Sequence, residues 1–199
     1  MNSPNTPSST RAPPPPPTER WRWAAARALV ATVVGNEPAT NAQYAAALAA
    51  GAPAASLLEI ATMAHLFGGF PRAIQGLLQL DRCLADRGIE SAANETPVRS
   101  RGDDRARGEA LFRQIYGDST DTVLARLASP ARDFQDIVLE HAYGRILSRP
   151  GLSAPEREWF AVAALAALDC PAQLKSHVRG ALRLGVEIAE IEQLAAALV

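Results

Sequence analysis

Apolar residues recur at spacings of three and four along most of this chain, and the breaks between the periodic stretches fall at glycine and proline. Between Trp21 and Arg87 this pattern predicts four helices: one to about Val34, then Ala39 to Ala50, Ala54 to Leu66, and Pro71 to Ala85. Gly51 and the Gly68–Gly69 pair supply breaks, and Pro71 suits a first helical turn, where its missing N–H has no partner to lose. Residues 88–107 turn polar and charged, with Pro97, Gly102 and the run RSRGDDRAR, and read as a linker. A helix from Gly108 to Tyr116 follows, ending at Gly117. Another, from about Pro130 to Leu147, places Phe134, Ile137, Val138, His141 and Arg145 along one face. Ahead of all these, residues 1–18 are mostly Ser, Thr, Asn and Pro, with the run Pro13 to Pro17 near their end, which predicts an extended, solvated tail.

The stretch from Arg149 to Gly185 carries the strongest local signals. Ser153 followed three residues later by Glu156 is a capping box, and Pro155 fits the first turn, so a helix starts near Ala154. From Trp159 to Leu168 it is apolar on every side, the mark of a helix buried all round. Pro171 stops it and opens the next helix, which Gly185 ends as a left-handed residue. On that second helix Leu174, His177, Val178, Ala181 and Leu182 share a face, so the imidazole of His177 is expected to be partly buried.

Shifting the first helices by 134 positions lays Gly51 on Gly185, Ala47 on Ala181, Leu48 on Leu182 and Ile60 on Leu194. This weak internal repeat divides the chain into an N-terminal helical half, 19–87, the linker 88–107, and a C-terminal half, 108–199. At the chemistry-bearing positions the first copy differs: Gln43 stands for His177, Asn36 for Cys170 and Ala24 for Glu158. Any reaction therefore belongs to the second copy.

Composition narrows the function classes. With 199 residues, 48% hydrophobic and 21% charged, the chain can bury one substantial core, and scarce aromatics with abundant alanine favour closely packed helices over sheet. A net charge of -1 offers no footprint for nucleic acid or an anionic membrane, and no apolar run reaches the length of a membrane span. Cys83 and Cys170 are too few for a disulfide scaffold, so the cytoplasm is the expected location. Neither a metal-ligand spacing nor a phosphate loop nor a GxSxG elbow is present.

His177 is the candidate general acid/base, with Arg157 and Glu158 one turn into the preceding helix and able to reach it if the two helices pack antiparallel. A core histidine bonded to a carbonyl or to Glu158 is the plainer alternative. Cys170, near a helix N-terminus, is either a somewhat acidic thiol or a buried structural one. Its position seven residues before His177, about 10 Å along a helix axis, argues against direct Cys–His activation. Cys83, His65 and His141 each lack a partner nearby in sequence and read as structural, His141 being the better outsider because it shares an apolar face.

The segments RPGL, Arg157, ALAAL, QLKSHVRGAL and Gly185 together resemble the carboxymuconolactone decarboxylase family, which shares its fold with alkylhydroperoxidase D. The resemblance covers about the last ninety residues, including GEALFRQIYGD, which is similar to the family's opening segment. Where the family has Trp–Gly–Glu–x–Trp, this chain has Tyr143, Gly144, Arg145, Ile146 and Leu147. HLFGGFPRAIQGL, from His65 to Leu77, is similar to the segment that closes the family's fold; since the second copy stops at Val199, the first copy's last helix is expected to fill that gap.

This resemblance implies an all-α, alkylhydroperoxidase D-like fold built from two related helical halves, assembled as a trimer or hexamer. It also implies cofactor-free decarboxylation of a small carboxylated lactone or related acid. On that reading Arg157 binds a substrate carboxylate, His177 transfers the proton and Glu158 orients the imidazole. Glu158, Cys170 and His177 also fit the spacing of the alkylhydroperoxidase D motif, but Gln173 replaces its second cysteine and cannot complete a dithiol. A thiol-dependent peroxidase using Cys170 is thus the alternative, and a non-catalytic helical oligomer the third reading.

Overall fold

The structure, a computed structural model, describes residues 20–91 and 101–198; the proline-rich tail and residues 92–100 of the expected linker lie outside them. The first four helices are α1 (Arg20–Val34), α2 (Glu37–Ala49), α3 (Ala54–Met63) and α4 (His65–Ala85). A 3₁₀ turn, Arg101–Asp103, leads into α5 (Asp104–Tyr116), and a second, Gly117–Ser119, into α6 (Thr120–Ala128). Next α7 (Phe134–Ile137) runs directly into a π-helix, Val138–Leu147, and the chain finishes with α8 (Ala154–Ala167), α9 (Pro171–Arg183) and α10 (Ile188–Leu198). The fold is all-α, of the alkylhydroperoxidase D-like type expected, with no strand among the described residues.

The internal repeat is visible in the backbone. Arg20, Glu37 and Ala54 open α1, α2 and α3; Ala154, Pro171 and Ile188, each 134 positions later, open α8, α9 and α10. The turns correspond as well. Asn36 N–H donates to the Ala31 carbonyl and Cys170 N–H to the Leu165 carbonyl; Ala52 N–H donates to Ala47 and Val186 N–H to Ala181. Gly51 and Gly185 both take positive φ, 85° and 92°, as left-handed residues just after a helix end.

The two halves meet along α1 and α8. Alanines make the approach close: Ala25, Ala26 and Ala28 on α1 and Ala161, Ala163 and Ala164 on α8 are fully buried. Trp23 packs edge-on against Trp159 at 5.4 Å, and the Arg22 guanidinium lies 5.0 Å from the Trp159 ring centre. A buried ion cluster adds a second junction. Glu59 of α3 accepts from Arg149 Nε at 2.9 Å and from Arg157 Nη2 of α8 at 2.8 Å.

The break expected at the Gly68–Gly69 pair is present: Gly69, at φ 77° and ψ 171°, is non-helical and divides α4 into two helical segments across a kink, with Pro71 just after it. Two other expectations about elements are revised. The helix expected from Gly108 begins at Asp104, where an Arg107–Asp104 ion pair one turn apart favours helix over loop. In place of one α-helix from Pro130 to Leu147, ten residues form a π-helix, because α5 and this segment touch backbone to backbone. A Cβ on Gly108 would sit 1.8 Å from the Leu139 carbonyl oxygen, and one on Gly144 1.9 Å from that of Asp104. Only glycine at both positions permits the contact. Besides α8, the helix packed on α9 is α5, while α4 packs mainly on α1, α2 and α3 of its own half and does not fill the gap expected of it.

Candidate active site

Local sequence sets up the α8–α9 pair. Ser153 Oγ accepts from the Glu156 N–H, and Glu156 Oε2 accepts from the Ser153 N–H at 2.8 Å, so the capping box forms in full and fixes where α8 starts. From that start, residues 157 to 165 are all buried; of the stretch expected to be buried all round, Trp159 to Leu165 is, whereas Ala166 and Ala167 are exposed and Leu168 is half-buried. Asp169, at φ 51°, turns the chain back, Cys170 takes the N-cap position and Pro171 begins α9. The two helices then pack antiparallel, and Glu158 comes opposite His177.

His177 Nδ1 lies 2.9 Å from Glu158 Oε2. With the carboxylate accepting, Nδ1 carries the hydrogen and Nε2 carries the lone pair. Glu158 is 1% exposed while the His177 side chain retains 14%, so the acid is at the bottom and the imidazole leads outward. The second oxygen, Oε1, is buried without a hydrogen-bond partner among the described residues. Gly180 explains how α9 comes so near. A Cβ there would stand 2.8 Å from Glu158 Oε2 and 2.6 Å from Ile115 Cγ2, closer than real Cβ contacts allow.

Two tyrosines complete the floor. Tyr116, at the end of α5, and Tyr143, in the π-helix, share a hydrogen bond between hydroxyls at 2.8 Å, with Phe112 packed against both rings. Burial, with the negative charge of Glu158 adding to it, pushes Tyr116 up to about 12 and Tyr143 well above the usual phenol value. Both are therefore neutral donors at any physiological pH. Neither was picked out from sequence for chemistry; Tyr143 was visible only as the residue standing where the family has its first tryptophan.

Of the residues singled out by sequence, the structure brings Glu158 and His177 together and gives Arg157 other neighbours. Its guanidinium, 1% exposed, donates through Nη2 to Glu59 and to the carbonyls of Arg149 and Pro150. That correction has a simple geometric cause: Arg157 and Glu158 are successive on a helix, about 100° apart, and cannot face the same groove. Cys170 Sγ is partly buried and lies 3.6 Å from the Leu168 carbonyl oxygen. Gln173, in the position of the absent second thiol, is exposed. Cys83 is buried against Asn41, whose Oδ1 is 2.8 Å from Sγ, and burial pushes its thiol up. His65 and His141, treated as isolated, are in mutual contact at 2.8 Å. Among the described residues no group of three or more His, Cys, Asp or Glu side chains is arranged to hold a metal ion.

Residues 132–199 match the model of the carboxymuconolactone decarboxylase family. A 63-residue stretch is 35% identical to 4-carboxymuconolactone decarboxylase of Acinetobacter baylyi, covering 32% of this chain and 47% of that protein. Two proteins named Peroxisomal protein 2 match over more of the chain. The one from Schizosaccharomyces pombe is 32% identical over 59% of this chain and 54% of its own length; that from Saccharomyces cerevisiae is 28% identical over 62% and 52%. The chain thus spans about half the length of the curated relatives it matches. The segment that carries the family match, residues 132–199, contains the capped helix α8, the buried glutamate and the outward-facing imidazole, so the likeness to the carboxymuconolactone decarboxylase family falls on the part of the chain that holds the dyad.

Proposed function

We propose that this chain is a decarboxylase-type enzyme acting on a small carboxylated lactone or related acid, with His177 as the proton-transfer group and Glu158 as the residue that orients and tunes it. The observation that carries the reading is the hydrogen bond from His177 Nδ1 to the buried Glu158 Oε2 at 2.9 Å. It holds the ring in one tautomer and turns a basic Nε2 outward, the arrangement general acid/base catalysis needs. Nε2 first takes the proton of the substrate's carboxyl group; as the C–CO2 bond breaks, its electron pair stays on the substrate carbon, and the imidazolium delivers that proton there and reverts to the neutral ring. The neighbouring A. baylyi decarboxylase supports the substrate class, over a 63-residue match. Arg157 has no place in this mechanism, because its guanidinium is turned to Glu59 and to the carbonyls of Arg149 and Pro150.

Homo-oligomerisation is part of the proposal. Phe70, Ile74 and Leu78 form an exposed apolar row on α4 at helical spacing, a surface that a second copy could cover; light scattering on the purified chain tests it.

The deciding experiment pairs two assays on the wild type, His177→Ala, Glu158→Gln and Cys170→Ser: CO2 release from 4-carboxymuconolactone and thiol-dependent peroxide consumption. Loss of CO2 release in the first two variants with Cys170→Ser unaffected supports the decarboxylase. Peroxide turnover abolished by Cys170→Ser moves the protein to the thiol branch despite Gln173. Silence of the wild type in both assays removes the substrate assignment.

A further inference from the structure

His65 opens α4 and His141 lies in the π-helix, so their contact joins the first half of the chain to the second. Their Nε2 atoms stand 2.8 Å apart and their ring centres 5.0 Å, the geometry of one imidazole donating an N–H to the other. Such a bond has room for one hydrogen between the two nitrogens. The far side of His65 sets its direction. Nδ1 lies 2.6 Å from the Thr62 carbonyl oxygen, which can only accept, so Nδ1 carries the hydrogen of the neutral ring and Nε2 offers its lone pair. His141 therefore donates from Nε2 and, while neutral, keeps its own lone pair on Nδ1. Phe70 stacks on the His65 ring at 5.1 Å and 17°, which restrains the ring plane.

Protonation of this pair runs in two steps. The first proton goes to His141 Nδ1 and leaves the N–H···N bond intact. The second has only His65 Nε2 to occupy, and it would set two N–H groups and two positive rings head to head at 2.8 Å. In contact, the pair therefore holds at most one extra proton; parted, it holds two. The carboxylates on the elements packed around His141 are already engaged by cations: Asp104 of α5 by Arg107 and Arg145, Asp136 of α7 and Glu140 by Arg105, and Glu59 of α3 by Arg149 and Arg157. His65 is flanked by the Thr62 carbonyl and the Phe70 ring, neither of which titrates. Burial first, then the charges of His65 and Arg145, lower the proton affinity of His141, with Asp104 opposing.

We propose that the His65–His141 contact is a proton-operated latch between α4 and the π-helix, closed while at least one of the two rings is neutral and open when acid protonates both. It does not depend on the reaction assigned to His177. Because the parted pair binds one proton more than the latched pair, the latch is at full strength above the ordinary histidine value of about 6.5 and weakens as pH falls below it. One unit below, the missing proton favours the parted form by about tenfold. The test follows the histidine ring signals of the full chain by NMR from pH 8 to 5 and measures backbone amide exchange at pH 7.5 and 5.5, in the wild type and in His141→Gln. Glutamine gives an amide N–H to neutral His65 or turns its oxygen to protonated His65, so it keeps the bond and takes up no proton. In the wild type the rings of His65 and His141 should titrate in two separated steps. After correction for the intrinsic effect of pH, amides around both residues should open about tenfold more often at pH 5.5 than at 7.5, and in His141→Gln that rise should vanish. Independent titration of both rings at the ordinary histidine value, with protection unchanged at pH 5.5, overturns the proposal on the native chain alone. An equal rise in His141→Gln overturns it as well.

Discussion

The α1–α2 pair and the α8–α9 pair are built on one plan, yet only the second holds a dyad. Their helices open 134 positions apart, and their turns share hydrogen bonds and left-handed residues. What separates them is a handful of side chains: Ala24 against Glu158, Gln43 against His177, Ala46 against Gly180 and Asn36 against Cys170. Backbone geometry alone therefore does not make the site. A buried acid needs a neighbour to offset its desolvation, and a glycine across from it lets the neighbouring helix come near enough to supply one.

The comparison breaks most sharply at the dyad. His177→Ala should lower kcat for CO2 release by about 10²–10⁴, the usual worth of a positioned acid/base group, with little change in KM. Glu158→Gln keeps the shape and removes the charge, so it should lower kcat by a smaller factor. The corresponding change in the first half, Gln43→Ala, should leave the rate as it is. Equal losses from Gln43→Ala and His177→Ala would show that the two halves work together and the assignment to one of them is mistaken.

Next in size is the junction between the halves. Glu59→Ala leaves Arg149 and Arg157 facing each other, with Arg157 1% exposed, and removing one partner from a buried ion cluster costs about 3–5 kcal/mol. For a chain of this size that corresponds to a fall in Tm of roughly 10 °C, read by calorimetry or circular dichroism. If Tm moves by less than a degree or two, the cluster is not what locks α3 to α8.

How much of this was legible beforehand follows the range of each signal. The capping box, Pro171, Gly185 and the Gly69 kink are local, and each falls where the sequence placed it. The partial burial of His177 followed from its helical face, and its meeting with Glu158 from antiparallel packing. Arg157 was misplaced because adjacency in sequence was read as adjacency in the groove, although successive helical residues diverge by about 100°. The π-helix, the Tyr116–Tyr143 bond and the His65–His141 contact all depend on partners 27 to 76 residues away. The only trace of the first in the sequence is a pair of glycines, Gly108 and Gly144, inside otherwise helical patterns.

Alkaline pH probes both halves at once. Tyr44 in the first and Tyr116 and Tyr143 in the second have proton affinities raised chiefly by burial. Above pH about 10 the unfolded chain sheds phenol protons that the folded chain retains, so the unfolded state binds fewer protons and stability falls as pH rises. Tyr116 alone, at about 12, accounts for a loss of about 2 kcal/mol by pH 12. Denaturation midpoints in urea at pH 8, 10 and 11 should fall in that order, and more gently in Tyr116→Phe. A flat series would mean that the phenols ionise in the folded state.

A smaller effect comes from Gly180. Gly180→Ala gains roughly 1 kcal/mol of helix propensity but forces Ile115 and Glu158 to move, an overpacking cost of about 1–3 kcal/mol, so the net change is a modest destabilisation. The carboxylate is displaced from His177, so the rate should fall by more than the stability does. Ala46→Gly, the exposed counterpart, should lose up to about 1 kcal/mol of stability and no activity.

The smallest difference is at the caps. Asn36 Oδ1 accepts from the Ala39 N–H at 3.2 Å, whereas Cys170 makes no side-chain bond to the first turn of α9. Transferring the better cap to the second half, Cys170→Asn, should stabilise the protein by about 0.5–1 kcal/mol, an increase in Tm of a few degrees. On the decarboxylase reading the rate stays the same, because nothing in the proton transfer passes through sulfur. A poorer cap kept where a better one fits is what a working thiol would explain, so a stabilised but inactive Cys170→Asn would be the strongest evidence for the peroxidase alternative. An active one leaves Cys170 as a position where the second half simply has a weaker helix start than the first.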